Sequence, residues 1–103
     1  MSDEGRAEML ETLPYLKGQS FVRKSYKAYR LGWEHDHCAV CGVTLMEAGA
    51  EGKGLLHEGY ATTSDYQHGE DYEWVCEECF AASKNVMHWK DATEAWPNGP
   101  RIE

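Results

Sequence analysis

His37-Cys38-Ala39-Val40-Cys41-Gly42 and Trp74-Val75-Cys76-Glu77-Glu78-Cys79-Phe80 hold all four cysteines of the chain, as two Cys-x-x-Cys pairs. Two residues between cysteines let one tight turn present both sulfurs to a single point, with backbone N–H groups free to hydrogen-bond the thiolates. One such pair supplies half of a tetrahedron. Two pairs complete a closed four-sulfur shell, and a closed shell leaves no coordination position for water or substrate. The spacing therefore predicts one Zn2+ ion held by Cys38, Cys41, Cys76 and Cys79 as a structural centre. The 34 residues that separate Cys41 from Cys76 are no obstacle, since each doubling of a loop costs only about 0.6 kcal/mol in closure entropy.

The elements around the pairs follow from periodicity and punctuation. Cys38 to Gly42 reads as a tight turn and Val43 to Met46 as a brief strand. Glu47 to Gly54, polar and glycine-rich, reads as a loop. Leu55 to Thr62 fits a strand, Thr63 to Asp71 a turn, and Tyr72 to Cys76 a returning strand. From Glu77 to about Trp89 the pattern is helical, with Cys79, Ala82, Val86 and Trp89 predicted on the apolar side and Phe80 and Met87 beside them. Upstream, residues 3 to 13 suggest a short helix capped by Ser2, with Met9, Leu10 and Leu13 on its apolar side and Pro14 near its end. Ser20 to His37, rich in β-favouring residues, reads as one or two irregular strands. The residues after Lys90, which include Trp96 and Pro97, are expected to form an irregular tail.

Knuckle, hairpin, then a helix carrying the second pair in its first turn resembles a treble-clef zinc finger, over about residues 35 to 90. The segments WEHDHCAVCG, EGY and WVCEECF are also similar to small bacterial zinc-finger proteins of uncharacterised activity. The resemblance implies a zinc-stabilised α+β domain and brings no activity with it. Two other readings of the cysteines compete. An iron site would resemble rubredoxin, but the likeness stops at CAVCG, because Phe80 stands where that pattern has glycine. A redox dithiol would need only one pair, placed after a strand in a βαβ context.

The chain of 103 residues carries a formal net charge of −8, and four thiolates on one divalent ion would make it about −10. One domain is expected: a small zinc-stabilised α+β fold with a metal-binding core over 35–90 and an irregular tail over 91–103. No apolar run approaches the roughly 20 residues of a membrane helix. The start, MSDEGRAEMLETLPYLKGQ, develops no signal-peptide core, so a cytoplasmic location is expected. In such a reducing compartment, metal explains the cysteines better than disulfides do.

Against this acidic background, Lys17, Arg23, Lys24, Lys27 and Arg30 form a run of five cations without one acid between residues 17 and 30. With Tyr26, Tyr29 and Trp33 interleaved, Arg23, Lys24, Lys27, Arg30 and Trp33 are the candidates for a nucleic-acid or partner surface. The competing expectation is that the run pairs internally with Glu70, Asp71 and Glu73, as cross-strand charges do. The net acidity favours a basic protein partner over nucleic acid. In composition the chain resembles small acidic immunity proteins and antitoxins, which implies a protein-interaction module. No catalytic triad, phosphate loop or paired-carboxylate site is present, so an enzyme is not expected. His35 and His37, close to the knuckle, are the only histidines placed where one could replace a cysteine as ligand.

Overall fold

The computed structural model describes residues 2–27, 35–47, 52 and 54–93. The expected second part of the Ser20–His37 region with Arg30 and Trp33, most of the Glu47–Gly54 loop, and the tail beyond residue 93 with Trp96 lie outside the described residues.

Helix α1 runs from Asp3 to Leu10. Ser2 starts it, its Oγ accepting the Gly5 N–H at 3.0 Å, and Asp3 and Glu4 place negative charge at the positive end of the helix dipole. Pro14 then opens a single 3-10 turn, Pro14–Leu16. Leu10, Leu13 and Leu16 are buried, whereas Met9, expected beside them, is 37 % exposed. The inward face of α1 is set by Arg6 and Leu10, four residues apart, and Met9 is turned about 100° away from Leu10.

Strand β1 (Ser20–Ser25) is followed by the short β2 (Asp36–His37), β3 (Thr44–Leu45), β4 (Glu58–Thr62) and β5 (Trp74–Val75). Helix α2 (Glu77–Met87) and strand β6 (Lys90–Asp91) complete the described chain. A four-stranded sheet has the order β5-β4-β1-β6, while β2 and β3 form a separate antiparallel pair. β1 and β4 are antiparallel, with Phe21 opposite Thr62 and Lys24 opposite Gly59. The architecture is the expected α+β fold, a small sheet and hairpin with the second cysteine pair on the C-terminal helix.

Two differences from the sequence reading have clear causes. The buried face of α2 is Cys79, Phe80, Ser83 and Met87, while Ala82 is exposed and Val86 is 65 % exposed. The inward stripe is thus rotated from the predicted one, and a polar Ser83 with no exposure lies in it. Asp91, assigned to the irregular tail, instead pairs in parallel with Phe21 through β6. That strand is held by β1, with the Ala92 N–H donating to the Phe21 carbonyl at 2.8 Å, and both its residues are exposed. Such a strand carries no apolar alternation to reveal it.

The core joins both ends of the described chain. Phe21 packs edge-on against Phe80 at 5.8 Å and tilted against Trp89 at 5.1 Å. Tyr60 stacks on Phe80 at 3.8 Å. The Trp89 indole N–H donates to the Leu16 carbonyl at 2.8 Å, which satisfies a polar group that burial would otherwise penalise. Leu10, Leu13, Leu16 and Phe21 belong to the same buried cluster as Cys38, Cys76 and Cys79. Phe21→Ala should therefore cost about 3–5 kcal/mol of stability, measured by denaturant unfolding in excess zinc. A loss below 1 kcal/mol, a size typical of surface changes, would show that this aromatic cluster does not support the fold.

Candidate metal centre

Each half of the centre is built by local backbone. Cys38 leaves β2 and its carbonyl accepts the Gly42 N–H at 2.9 Å, while its own N–H donates to the Val43 carbonyl at 2.8 Å. The turn closes with Gly42 at φ +83°, a left-handed conformation that glycine adopts without a Cβ clash. Within it, the Val40 and Cys41 N–H groups donate to Cys38 Sγ at 3.4 and 3.5 Å. The second pair uses a helix start. Cys76 is the residue preceding α2, and its Sγ accepts the Cys79 N–H at 3.4 Å, where serine or aspartate would ordinarily cap.

The halves are brought together by the strands. Cys38 bridges Trp74 in parallel, and the Ala39 N–H donates to the Trp74 carbonyl at 2.8 Å. β4 passes close beneath. A Cβ at Gly59 would stand 3.0 Å from the Val75 carbonyl oxygen and 3.1 Å from Leu45 Cδ2.

The result is a cluster in which the ligand atoms of Cys38, Cys41, Cys76 and Cys79 all lie within 4.8 Å of one another. Cys41 and Cys76 Sγ are 3.7 Å apart, matching the edge of about 3.8 Å that a sulfur tetrahedron has when its metal–sulfur bonds are about 2.3 Å. None of the cysteines is in a disulfide. Cys38, Cys76 and Cys79 are buried and Cys41 is half-buried. The four side chains thus fit a metal ion, and their soft sulfur donors suit zinc.

Proton affinities in the cluster diverge. A hydrogen bond from the Cys76 thiol, helped by backbone N–H donors, lowers Cys38 to about 5 against the opposing effect of burial. Cys76 is pushed up because it gives that hydrogen bond, and by burial. Burial, followed by the nearby Cys38 charge, raises Cys79 to about 11. At neutral pH the metal-free cluster holds Cys38 as thiolate and keeps protons on Cys76 and Cys79.

The histidines stand apart. His37 is exposed, with Nδ1 3.2 Å from the Gly42 carbonyl oxygen, and its ring meets His35 at 5.0 Å. Among the described residues the metal-binding group is the four cysteines alone. The basic run is not brought to the centre as a free surface. Arg23 pairs with Glu58 at 2.7 Å and with Glu77 at 3.1 Å. Lys24 pairs with Asp71 at 2.7 Å, both largely shielded from solvent. Lys27 is exposed, and Arg30 and Trp33 lie outside the described residues. Of the expected acidic partners Glu70, Asp71 and Glu73, the ion pair falls to Asp71.

One residue at the centre had no signal in spacing or motif. Arg6, the only cation in α1, is 6 % exposed; its Nη2 meets Glu78, the residue before Cys79, at 3.4 Å, and the Cys79 sulfur makes its guanidinium more basic than usual. A lone arginine in an acidic helix reads as a solvated charge from sequence.

Comparison with protein-family models, with curated proteins and with solved structures gives no match. The centre is thus defined by its own geometry.

Two outcomes follow for the metal. Structural zinc contributes roughly 10–16 kcal/mol in small fingers, as much as the whole stability of an ordinary domain. A strong chelator added to reduced protein should therefore collapse the circular dichroism and red-shift the emission of the buried Trp74 and Trp89; unchanged spectra would exclude a structural role. Metal uptake must also displace protons from Cys76 and Cys79. Calorimetry near pH 7 in buffers of different ionisation enthalpy should show at least two protons released per ion, with affinity rising about 100-fold per pH unit from these two groups. A pH-independent affinity would contradict the thiol assignments.

Proposed function

We propose that this chain is a small zinc protein in which one structural Zn2+ on Cys38, Cys41, Cys76 and Cys79 holds a protein-interaction module in shape. The observation that carries the proposal is the closed sulfur cluster itself, which offers no coordination position for a reacting water. A non-catalytic role in a reducing compartment such as the cytoplasm is part of the same reading. The order of elements supports a treble-clef arrangement: a knuckle between β2 and β3, a β4–β5 hairpin, then α2 starting on the second pair.

A basic protein is the favoured partner. Glu4, Glu8 and Glu11 are exposed along the α1 segment, and at spacings of four and three residues they share one face. Beside the metal centre, Val43, Leu55 and Leu56 line a groove that also holds Arg23, ion-paired there with Glu58 and Glu77. The Glu4, Glu8 and Glu11 face suits lysine or arginine on a partner, and the apolar groove suits an apolar anchor from it. An inhibitor of a basic protein, in the manner of immunity proteins and antitoxins, is the specific form this takes. The nucleic-acid alternative loses support from the Arg23 and Lys24 ion pairs, which already engage two of its proposed phosphate contacts.

Native mass spectrometry of the reduced protein, taken from its own cell at low salt, tests the proposal. One zinc per chain and a co-purifying basic protein that dissociates as salt rises are expected. A metal-free chain would remove the structural-zinc reading, and a zinc-loaded chain that retains single-stranded RNA or DNA in place of protein would favour the alternative.

A further inference from the structure

Four thiolates around a divalent ion carry a net charge of −2, and three of these sulfurs are buried. Burying such charge is costly unless donors or cations face it. The backbone meets this need unevenly. Cys38 receives two N–H groups and Cys76 one, because the first cysteine of each pair lies beneath the turn that follows it. Among the described residues no backbone N–H donates to Cys41 or Cys79. Cys41 is half-buried and open to water, but Cys79 is only 1 % exposed.

Arg6 comes from outside the finger to the first turn of α2, which carries Cys79. Its Nη1 contacts Asp3 at 3.1 Å and its Nη2 contacts Glu78 at 3.4 Å. Those carboxylates are the solvent-facing partners, at 103 % and 79 % side-chain exposure, while the Arg6 side chain is 8 % exposed. The buried Nε has no hydrogen-bond partner among the described residues. A buried guanidinium with an unused donor, held against the residue before a buried cysteine that has no backbone donor, is half of a charge-assisted hydrogen bond.

We infer that Arg6 is an outer-sphere ligand partner of the metal centre, donating to the Cys79 thiolate and offsetting its charge, so that helix α1 controls how firmly the metal is held. The inference rests on the structural-metal reading above. It gives the N-terminal segment a role: α1 positions one cation against the centre, and Leu10, Leu13 and Leu16 anchor it there.

Cobalt substitution separates this role from simple packing. In the Co(II) form, a donor and positive charge on Cys79 stabilise the sulfur lone pairs and raise the energy of the sulfur-to-cobalt charge-transfer band. Arg6→Met should shift that band to lower energy, and should speed zinc loss to a chelator by about 10–100-fold, the range found when outer-shell partners of metal ligands are removed. Arg6→Lys should recover part of both effects. Glu78→Gln, which removes an α1–α2 ion pair while leaving Arg6 in place, should leave band and rate close to those of the parent. If Arg6→Met does not fold, Arg6→Gln keeps the stem and a donor, and should show the same direction of shift.

An unchanged band and zinc-loss rate in the Arg6 variants would overturn the inference while leaving the metal reading intact. Equal losses in Glu78→Gln and Arg6→Met would reassign Arg6 to helix docking. A parent protein that gives no tetrahedral cobalt spectrum would instead defeat the metal reading, and this inference with it.

Discussion

The constraint on which the rest of the structure depends is the convergence of four sulfurs, three of them buried. Left as thiolates they would repel one another; left as thiols they form a weakly hydrogen-bonded cluster with little to hold two distant chain segments together. A divalent ion resolves both problems, because it neutralises part of the charge and fixes four directions at once. Each local device around the centre serves that geometry. The turn after Cys38 aims two N–H groups at one sulfur, the start of α2 aims another at Cys76, and the main-chain link between Ala39 and Trp74 sets the separation of the halves.

From that centre the stabilisation spreads outward through packing. Phe80, next to Cys79, stacks with Tyr60 and meets Phe21 and Trp89. Trp89 in turn fastens Leu16, and the Gly18 N–H donates to the Met87 carbonyl at 2.8 Å. The N-terminal residues are therefore part of the same buried cluster as the cysteines. A domain of this size buries a modest core, so a metal on the four cysteines would add to what the aromatic cluster supplies. The acidic surface left outside is free of this work, apart from the acids that neutralise Arg23, Lys24 and Arg6.

What could be read from the sequence was what local chemistry determines. Cysteine spacing located the centre, Ser2 marked a helix start, and Gly42 and the glycine- and aspartate-bearing stretch before Tyr72 marked turns. The features that escaped depend on contacts distant in sequence. Strand β6 is two exposed polar residues whose only reason to be extended is the neighbouring β1. The buried face of α2 departs from its apolar pattern because Ser83, polar by type, occupies a fully buried position, while Val86, apolar by type, is exposed. Arg6 lies more than 70 residues from Cys79, and no periodicity links a helix cation to a metal ligand. The pairing of Lys24 with Asp71 was foreseeable from charge, whereas the pairing of Arg23 with Glu58 and Glu77 needed the sheet register and the start of α2 to be known.

Zinc K-edge X-ray absorption on the reduced protein from its own cell tests the central interaction most directly. Four sulfur scatterers at about 2.3 Å with no nitrogen or oxygen in the first shell would place the ion within the cysteine cluster. A shell that includes nitrogen or oxygen, or a protein with no zinc and its cysteines joined as disulfides, would contradict a closed structural centre.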